Sequence, residues 1–575
     1  MLSNSSRAAT IWLAVLLLAI WCVGMFGRGF WTPDEPREAD IAWRMSWQSD
    51  KAVPLLAGDA FCEKPPLTYW VAALPIRIFG AQAWAARLPN LLYAIIGALC
   101  VGMLAGRSCG RAAGLIGAAV IGTLLLAYQV EIWFATDAPL LASTAAALLG
   151  AYIGFYAANG RERLAGYTLM HLALGFGFLS KSAAAWVVPA LTLLTLIAWE
   201  KRWRELKRWE LYAGLLIQAA MVLTWVAFVY AEPDGLAHLR VFFWNNLAGR
   251  FARVDAPAEL QYAAAHRNSP GKYFIELPMY LFPWTFAALA AARRAWLKRG
   301  TEDSRAVRFA VSSFLPALLL LSLAATARNV YMAPALPGAA LLIAWWGKGI
   351  MRDADRWDLR ALRATALLLM VSTLVTALAA GAVRLDAGAS LGAPAIFIGI
   401  SSLGVILAGL LAVRAWNSTG RNVPMAQCAL LTAYGALLLG PVAAIYGQVD
   451  HWQNLKGMAR EMQRDTAGSP LLLLAPDETT RAVIDMYVST SVLSVTGPLD
   501  DSKLARASDA AADSGAFILT LLPGRGPPQS PWLARMLPAP KNALPAWANF
   551  KGVRSVKEYV LPNGRRYALL KAAAR

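Results

Sequence analysis

The sequence predicts a polytopic α-helical membrane protein, with about 13 spans followed by a small C-terminal α/β domain. Three observations carry this reading. Of the 575 residues, 58% are hydrophobic and only 15% are charged, with a mean hydropathy of +0.46, far from the composition of an ordinary soluble domain. Apolar windows long enough to cross about 30 Å of hydrocarbon recur along most of the chain. Lys and Arg collect in alternate loops between those windows, as they do in inserted helical proteins. The net charge of +19 therefore reports orientation and contact with anionic lipids. No single polar face gathers the basic residues, so nucleic acid is not a partner.

Taken in order, the windows are Ile11–Gly27, Leu88–Gly106, Ala112–Val130, Pro139–Ala158, Leu164–Ser180, Ala183–Trp199 and Leu211–Tyr230. The series continues with Leu277–Ala292, Phe309–Thr326, Ala335–Gly347, Ala364–Val383, Pro394–Val413 and Met425–Tyr446. The first has no small-residue cleavage site leading into a soluble chain and reads as a retained helix. Thr68–Trp84 is apolar but interrupted by Pro75 and Arg77, so it reads as a helix lying at the membrane surface, with Trp70 and Trp84 at headgroup depth.

One set of alternate loops, including Arg107–Arg111, Lys201–Arg208, Arg293–Arg308 and Lys348–Arg363, holds about 23 basic residues with Arg7, against about three in the opposite short loops, which makes the first set cytoplasmic. The N-terminus is then inside. The loops Arg28–Arg87, Glu131–Asp137 and Glu232–Glu276, and everything after Gly447, lie outside.

Residues 1–449 form the membrane part and residues 450–575 a soluble domain. In the latter, Leu471–Pro476, Ser491–Gly497 and Ala516–Pro523 read as short buried strands separated by helical segments. Lys557–Leu561 and Arg566–Leu570 flank Asn563-Gly564, a strong hairpin signal. Neither a Gly-rich phosphate loop nor a nucleophile motif is present there, so the domain is expected to pack or to guide an acceptor. The absence of a Walker motif leaves ATP-driven transport without support. The five cysteines give no disulfide framework.

The chemistry concentrates in the outer loop 28–87. It contains Asp34, Glu35, Arg37, Glu63 and Lys64 beside the bilayer, where charges must be satisfied by one another, by water or by a ligand. Asp137 at the start of the fourth window and the cations Lys181, Arg250 and Arg328 join them, with Trp31, Tyr69, Trp244 and Tyr331 nearby. Cations at the outer ends of several spans suit an anionic lipid headgroup, because Lys or Arg stabilises a phosphate more strongly as it gains charge on leaving. A carboxylate beside a sugar carbon could serve as base or stabilise positive charge on the ring. His266 together with Glu63 could hold a divalent ion, since imidazole and carboxylate both suit zinc, but two ligands make only half of a zinc site.

These motifs resemble the aminoarabinose transferases. The likeness rests on Asp34-Glu35-x-Arg37 after the first window, Glu63-Lys64-Pro65, Asp137, Lys181, Trp244 through Arg250-Phe251, and His266-Arg267 leading to Leu277–Trp284. It runs from about Trp31 to Pro337. The chain departs from the family pattern in having Pro36 and Glu38 where Thr and Tyr are common, and Tyr331 aligns loosely.

The resemblance implies a polytopic fold of the lipid-sugar-using (GT-C) type. It also implies transfer of 4-amino-4-deoxy-L-arabinose from undecaprenyl phosphate to a lipid A phosphate, on the periplasmic side of a bacterial inner membrane. On that reading Asp34 is the catalytic carboxylate, with Glu35, Arg37 and Asp137 beside it. Lys64, Arg250, Tyr331 and Lys181 hold the donor phosphate. No cofactor is required, and a zinc ion at Glu63 and His266 is the one candidate. The rivals are a protein O-mannosyltransferase-like enzyme, and a secondary transporter or lipid flippase. The latter would place its charges near the midplane and often shows a repeat, whereas here they gather at the outer ends.

Overall fold

The computed structural model describes residues 4–247, 269, 271–299, 304–324, 327–386, 392–417, 423–495, 501–522 and 553–572. The chain opens with α1 (Asn4–Met25) and then leaves the bundle for an outer loop. That loop contains α2 (Asp34–Trp47), a two-residue hairpin of β1 (Leu55–Leu56) and β2 (Asp59–Ala60), and α3 (Leu67–Phe79). The bundle resumes with α4 (Ala83–Cys109), α5 (Arg111–Ile121), α6 (Leu125–Ile132), α7 (Asp137–Phe155), α8 (Gly160–Lys181) and α9 (Ala184–Trp199). Next come α10 (Trp209–Ala213), α11 (Leu215–Tyr230), α12 (Gly235–Arg240), α13 (Lys272–Tyr280), α14 (Thr285–Leu297), α15 (Ser304–Leu323), α16 (Leu336–Asp353), α17 (Arg356–Asp386), α18 (Gly392–Asn417), α19 (Val423–Leu437) and α20 (Ala443–Trp452).

Among the described residues nine helices are long and apolar enough to cross a membrane, or eleven if each of two bent pairs counts once. With α8 and the shorter α9, helix lies within every one of the expected windows. Burial sorts the helices into layers. In α7 and α16, 89% and 83% of the apolar stretch is buried, against 22% in α11 and α18. The first pair forms the centre, and the second presents an apolar surface suited to lipid.

Two windows expected as continuous spans are broken. Ala112–Val130 bends by 61° between α5 and α6, and Leu277–Ala292 bends by 110° between α13 and α14. The breaks face each other. The Leu125 amide donates to the Phe282 carbonyl at 2.8 Å, the Trp284 indole to the Thr123 hydroxyl at 2.8 Å, and the Trp21 indole to the Gly122 carbonyl at 3.2 Å. Non-helical backbone in an apolar layer is tolerated where protein groups satisfy it, and each break supplies what the other lacks.

The helix expected at the membrane surface is α3. Its inner side buries Tyr69, Ala72, Ala73 and Ile76, while Leu74, Ile78 and Phe79 are exposed. An outward face of exposed apolar side chains, with Phe79 packed 4.8 Å from the Trp84 ring, fits the interface of a bilayer.

The C-terminal domain begins with α21 (Leu455–Asp465), then β3 (Leu471–Leu474), α22 (Glu478–Tyr487), β4 (Val492–Val495), α23 (Asp501–Ser514), β5 (Phe517–Leu521), β6 (Val553–Val560) and β7 (Arg566–Ala572). The sheet order is β4-β3-β5-β7-β6. β3 is parallel to both β4 and β5, whereas β7 runs antiparallel to β5 and β6. All four positions of β3 are buried, as a central strand covered on both faces requires. The expected hairpin turns at Asn563-Gly564, where Gly564 takes a φ of +86°.

Candidate active site

Asp34 occupies the first turn of α2, and Asp137 opens α7. Both carboxylates thus stand at helix N-termini, where the peptide dipoles favour an anion. Lys181 closes α8, the end that favours a cation. All three lie at the end of the bundle that carries the soluble domain.

Arg328 donates to Asp34 at 2.8 Å, and Arg37 stands 3.7 Å from the other Asp34 oxygen. Lys181 is paired with Asp137 and lies 5.8 Å from the centre of the Tyr331 ring. Lys64 is paired with Glu38, whose second oxygen accepts from the Tyr69 hydroxyl at 2.6 Å. Lys64 interacts electrostatically with both Asp34 and Lys181, and Arg328 with Asp137 and Tyr331. The three pairs therefore form one cluster.

The electrostatics set the charge state. Burial alone would raise the Asp34 carboxyl, but Arg328, Lys64 and Arg37 outweigh it and hold the group below the usual carboxylate range. Asp34 is an anion at neutral pH. Burial would lower the Lys64 ammonium, yet Glu38, Glu63 and Asp34 hold it above its ordinary value. The neighbouring Cys62 thiol is pushed up to about 11 by burial, which makes it a poor nucleophile.

Glu35 is not in this cluster. It is fully buried on the bundle side of α2, where its two oxygens accept from Arg28 at 2.7 Å, from Arg87 at 2.7 and 2.6 Å, and from the amides of Trp31 and Phe134 at 2.8 and 2.9 Å. A carboxylate so filled has no room for a substrate, so the expected catalytic role gives way to a structural one. Glu35 ties the start of α2 to α4 and to the segment just before Asp137.

Of the expected site residues, Asp34, Arg37, Lys64, Asp137, Lys181 and Tyr331 come together. Arg250 and His266 lie outside the described residues. The Glu63 backbone carbonyl accepts from the Asn246 amide at 2.5 Å, and its carboxylate acts electrostatically on Lys64 and Arg37. Among the described residues no three His, Cys, Asp or Glu side chains stand together as a metal site. The sequence reading missed Glu38, the partner of Lys64. Its signal was helical spacing, since Glu38 follows Asp34 by one turn.

The bundle thus combines broken and continuous spans with a charged cluster at its domain end. Residues 63–228 match a family described as dolichyl-phosphate-mannose-protein mannosyltransferase. The fold is that of ArnT from Cupriavidus metallidurans. This chain superposes on that protein's apo structure with a TM-score of 0.71 over 98% of each chain at 16% identity. Its structure bound to undecaprenyl phosphate gives 0.72 over 97% of each chain, also at 16% identity.

In sequence the chain is similar to undecaprenyl phosphate-alpha-4-amino-4-deoxy-L-arabinose arabinosyl transferases. It is 29% identical to that of Pseudomonas paraeruginosa over 379 residues, 62% of either chain. It is 30% identical to that of Pectobacterium carotovorum over 380 residues, 65% of this chain and 64% of the other. The match spans somewhat under two thirds of these relatives' length.

Proposed function

We propose that this chain transfers 4-amino-4-deoxy-L-arabinose from undecaprenyl phosphate to a phosphate of lipid A. The observation that carries the reading is the cluster itself, an ionised Asp34 ringed by Arg328, Arg37 and Lys64 with Asp137, Lys181 and Tyr331 alongside. The relatives' names and the undecaprenyl phosphate bound to the ArnT of similar fold support the choice of donor.

The step is a single displacement at the anomeric carbon. An oxygen of the lipid A phosphate forms the new bond as the bond to the undecaprenyl phosphate oxygen breaks, and the leaving phosphate keeps the electron pair. Lys64, Lys181 and Arg328 stabilise the charge that builds on it. Neither phosphate needs a proton from the protein. Asp34, held as an anion, suits orientation of the acceptor or stabilisation of the oxocarbenium-like ring, and one displacement inverts the configuration. The site faces the periplasm of a bacterial inner membrane, with the N-terminus in the cytoplasm and the C-terminal domain outside. Glu63 and His266 would be the ligands of a divalent ion such as zinc, which the displacement itself does not require.

Purified protein incubated with the undecaprenyl-linked aminosugar and lipid A should add the aminosugar mass to lipid A. Asp34→Asn should abolish the product without altering the melting transition, and full activity in that variant would remove Asp34 from the role. The family matched by residues 63–228 favours one alternative, transfer of a sugar to protein hydroxyls. Mass spectrometry of secreted proteins beside lipid A, with and without the gene, separates the two.

A further inference from the structure

The surface of α2 that faces away from the bundle is covered by the C-terminal domain. Arg37 lies 2.6 Å from Glu478, at the start of α22. Two turns on, Arg44 pairs with Asp485. From the α22 side, Arg481 reaches Asp59 at 2.6 Å and the Ala57 carbonyl at 3.3 Å. Between these polar pairs, Ala482 and Met486 of α22 share a buried cluster with Ala39, Ala42 and Met45 of α2.

The backbone leading into Asp34 is held from the same direction. The Gly29 amide donates to Asp450 at 2.5 Å, and the Thr32 amide and hydroxyl donate to Gln453 at 3.0 and 2.7 Å. The Thr479 hydroxyl donates to the Pro33 carbonyl at 3.3 Å. Three of the five residues immediately before Asp34 are thus fixed by groups more than 400 positions later.

We propose that the C-terminal domain is a positioning element for the reaction centre, acting through Glu478 and Arg37 on Asp34. Arg37 is the link, because one guanidinium faces Asp34 on one side and Glu478 on the other. Without Glu478, Arg37 is free to close fully on Asp34 or to turn away, and either movement changes where the carboxylate points. Exposed ion pairs taken singly are weak. Here several act on one short helix, and small displacements of a reacting group cost disproportionately in rate.

This inference rests on the proposed transfer reaction, so its test has two independent readouts on the full chain. Glu478→Gln should lower kcat about fivefold, with the KM for donor little changed, and Glu478→Asp should restore most of it. In Glu478→Gln/Asp485→Asn, hydrogen–deuterium exchange of peptides covering residues 34–47 should rise while the melting transition of the bundle holds. Unchanged kcat in both variants overturns the proposal. If the wild-type chain transfers no aminosugar, the functional reading fails, and the exchange measurement still decides the positioning role: α2 protection unchanged in the double variant sinks it.

Discussion

Asp34 and Glu35 are adjacent in the chain and opposite in circumstance. On a helix, neighbouring side chains point about 100° apart, so when α2 buries one side, one acid faces the cluster and the other faces the bundle. Asp34 keeps a quarter of its side-chain surface exposed, and Glu35 keeps none. The acidic pair itself was legible in the sequence, but its division of labour was not. That division depends on Arg87, 52 positions away, and on a helix too polar to register as one.

The consequence is measurable. Glu35→Gln leaves Arg28 and Arg87 buried without their counter-charge and should destabilise the protein by about 3–5 kcal/mol. Burial would raise the Glu35 carboxyl, but the two guanidiniums outweigh it and hold it at about 2, against an ordinary 4.5. A depressed carboxyl stabilises the fold fully above its unfolded pKa and less as pH falls towards its folded one. Thermal melts in detergent should therefore show a loss of stability between about pH 4.5 and 2 that is absent from the Glu35→Gln variant.

At the scale of elements, the distance between Asp137 and Lys181 is set by how α7 and α8 pack. The two helices run antiparallel, and their backbones touch where Gly150 and Gly154 meet Gly166. A Cβ on Gly166 would lie 2.3 Å from the Gly154 amide nitrogen, closer than any side chain permits. Small residues one turn apart are how helices approach closely in an apolar layer. Gly166→Leu should push α8 from α7, cost about 3 kcal/mol in stability and separate Lys181 from Asp137. A melt and a donor-binding titration would check both effects.

The apolar elements were readable because composition and length alone decide them. α2 and α21 were not read as helices, although α21 buries Leu455, Met458, Ala459 and Met462 at helical spacing. Both carry many charges on the other side, and only their partners reveal which face is covered.

Across the whole molecule, helix lies within every window found by hydropathy, and the two broken ones show the limit of that signal. An apolar run containing Pro278 and Pro283 reads as a single crossing. What bends it is contact with a second break, in which Trp284 meets Thr123 from 161 positions away. The charge pattern reaches further, because it describes the whole chain against the membrane. The end opposite the cluster is built from pairs such as Arg308–Glu200 at 2.7 Å, Arg293–Asp355 at 2.7 Å and Arg294–Asp358 at 2.8 Å. It also holds the surplus of Lys and Arg, the bias from which the expected orientation was drawn.

If that bias sets orientation, the two ends must differ in access from outside the cell. With the five native cysteines replaced by Ser, Arg464→Cys on α21 should react with an impermeant maleimide in intact spheroplasts. Arg204→Cys at the opposite end should react only after permeabilisation. The reverse pattern would turn Asp34 and its cations towards the cytoplasm, away from an acceptor in the outer leaflet, and the transfer proposed for them would fall with the orientation.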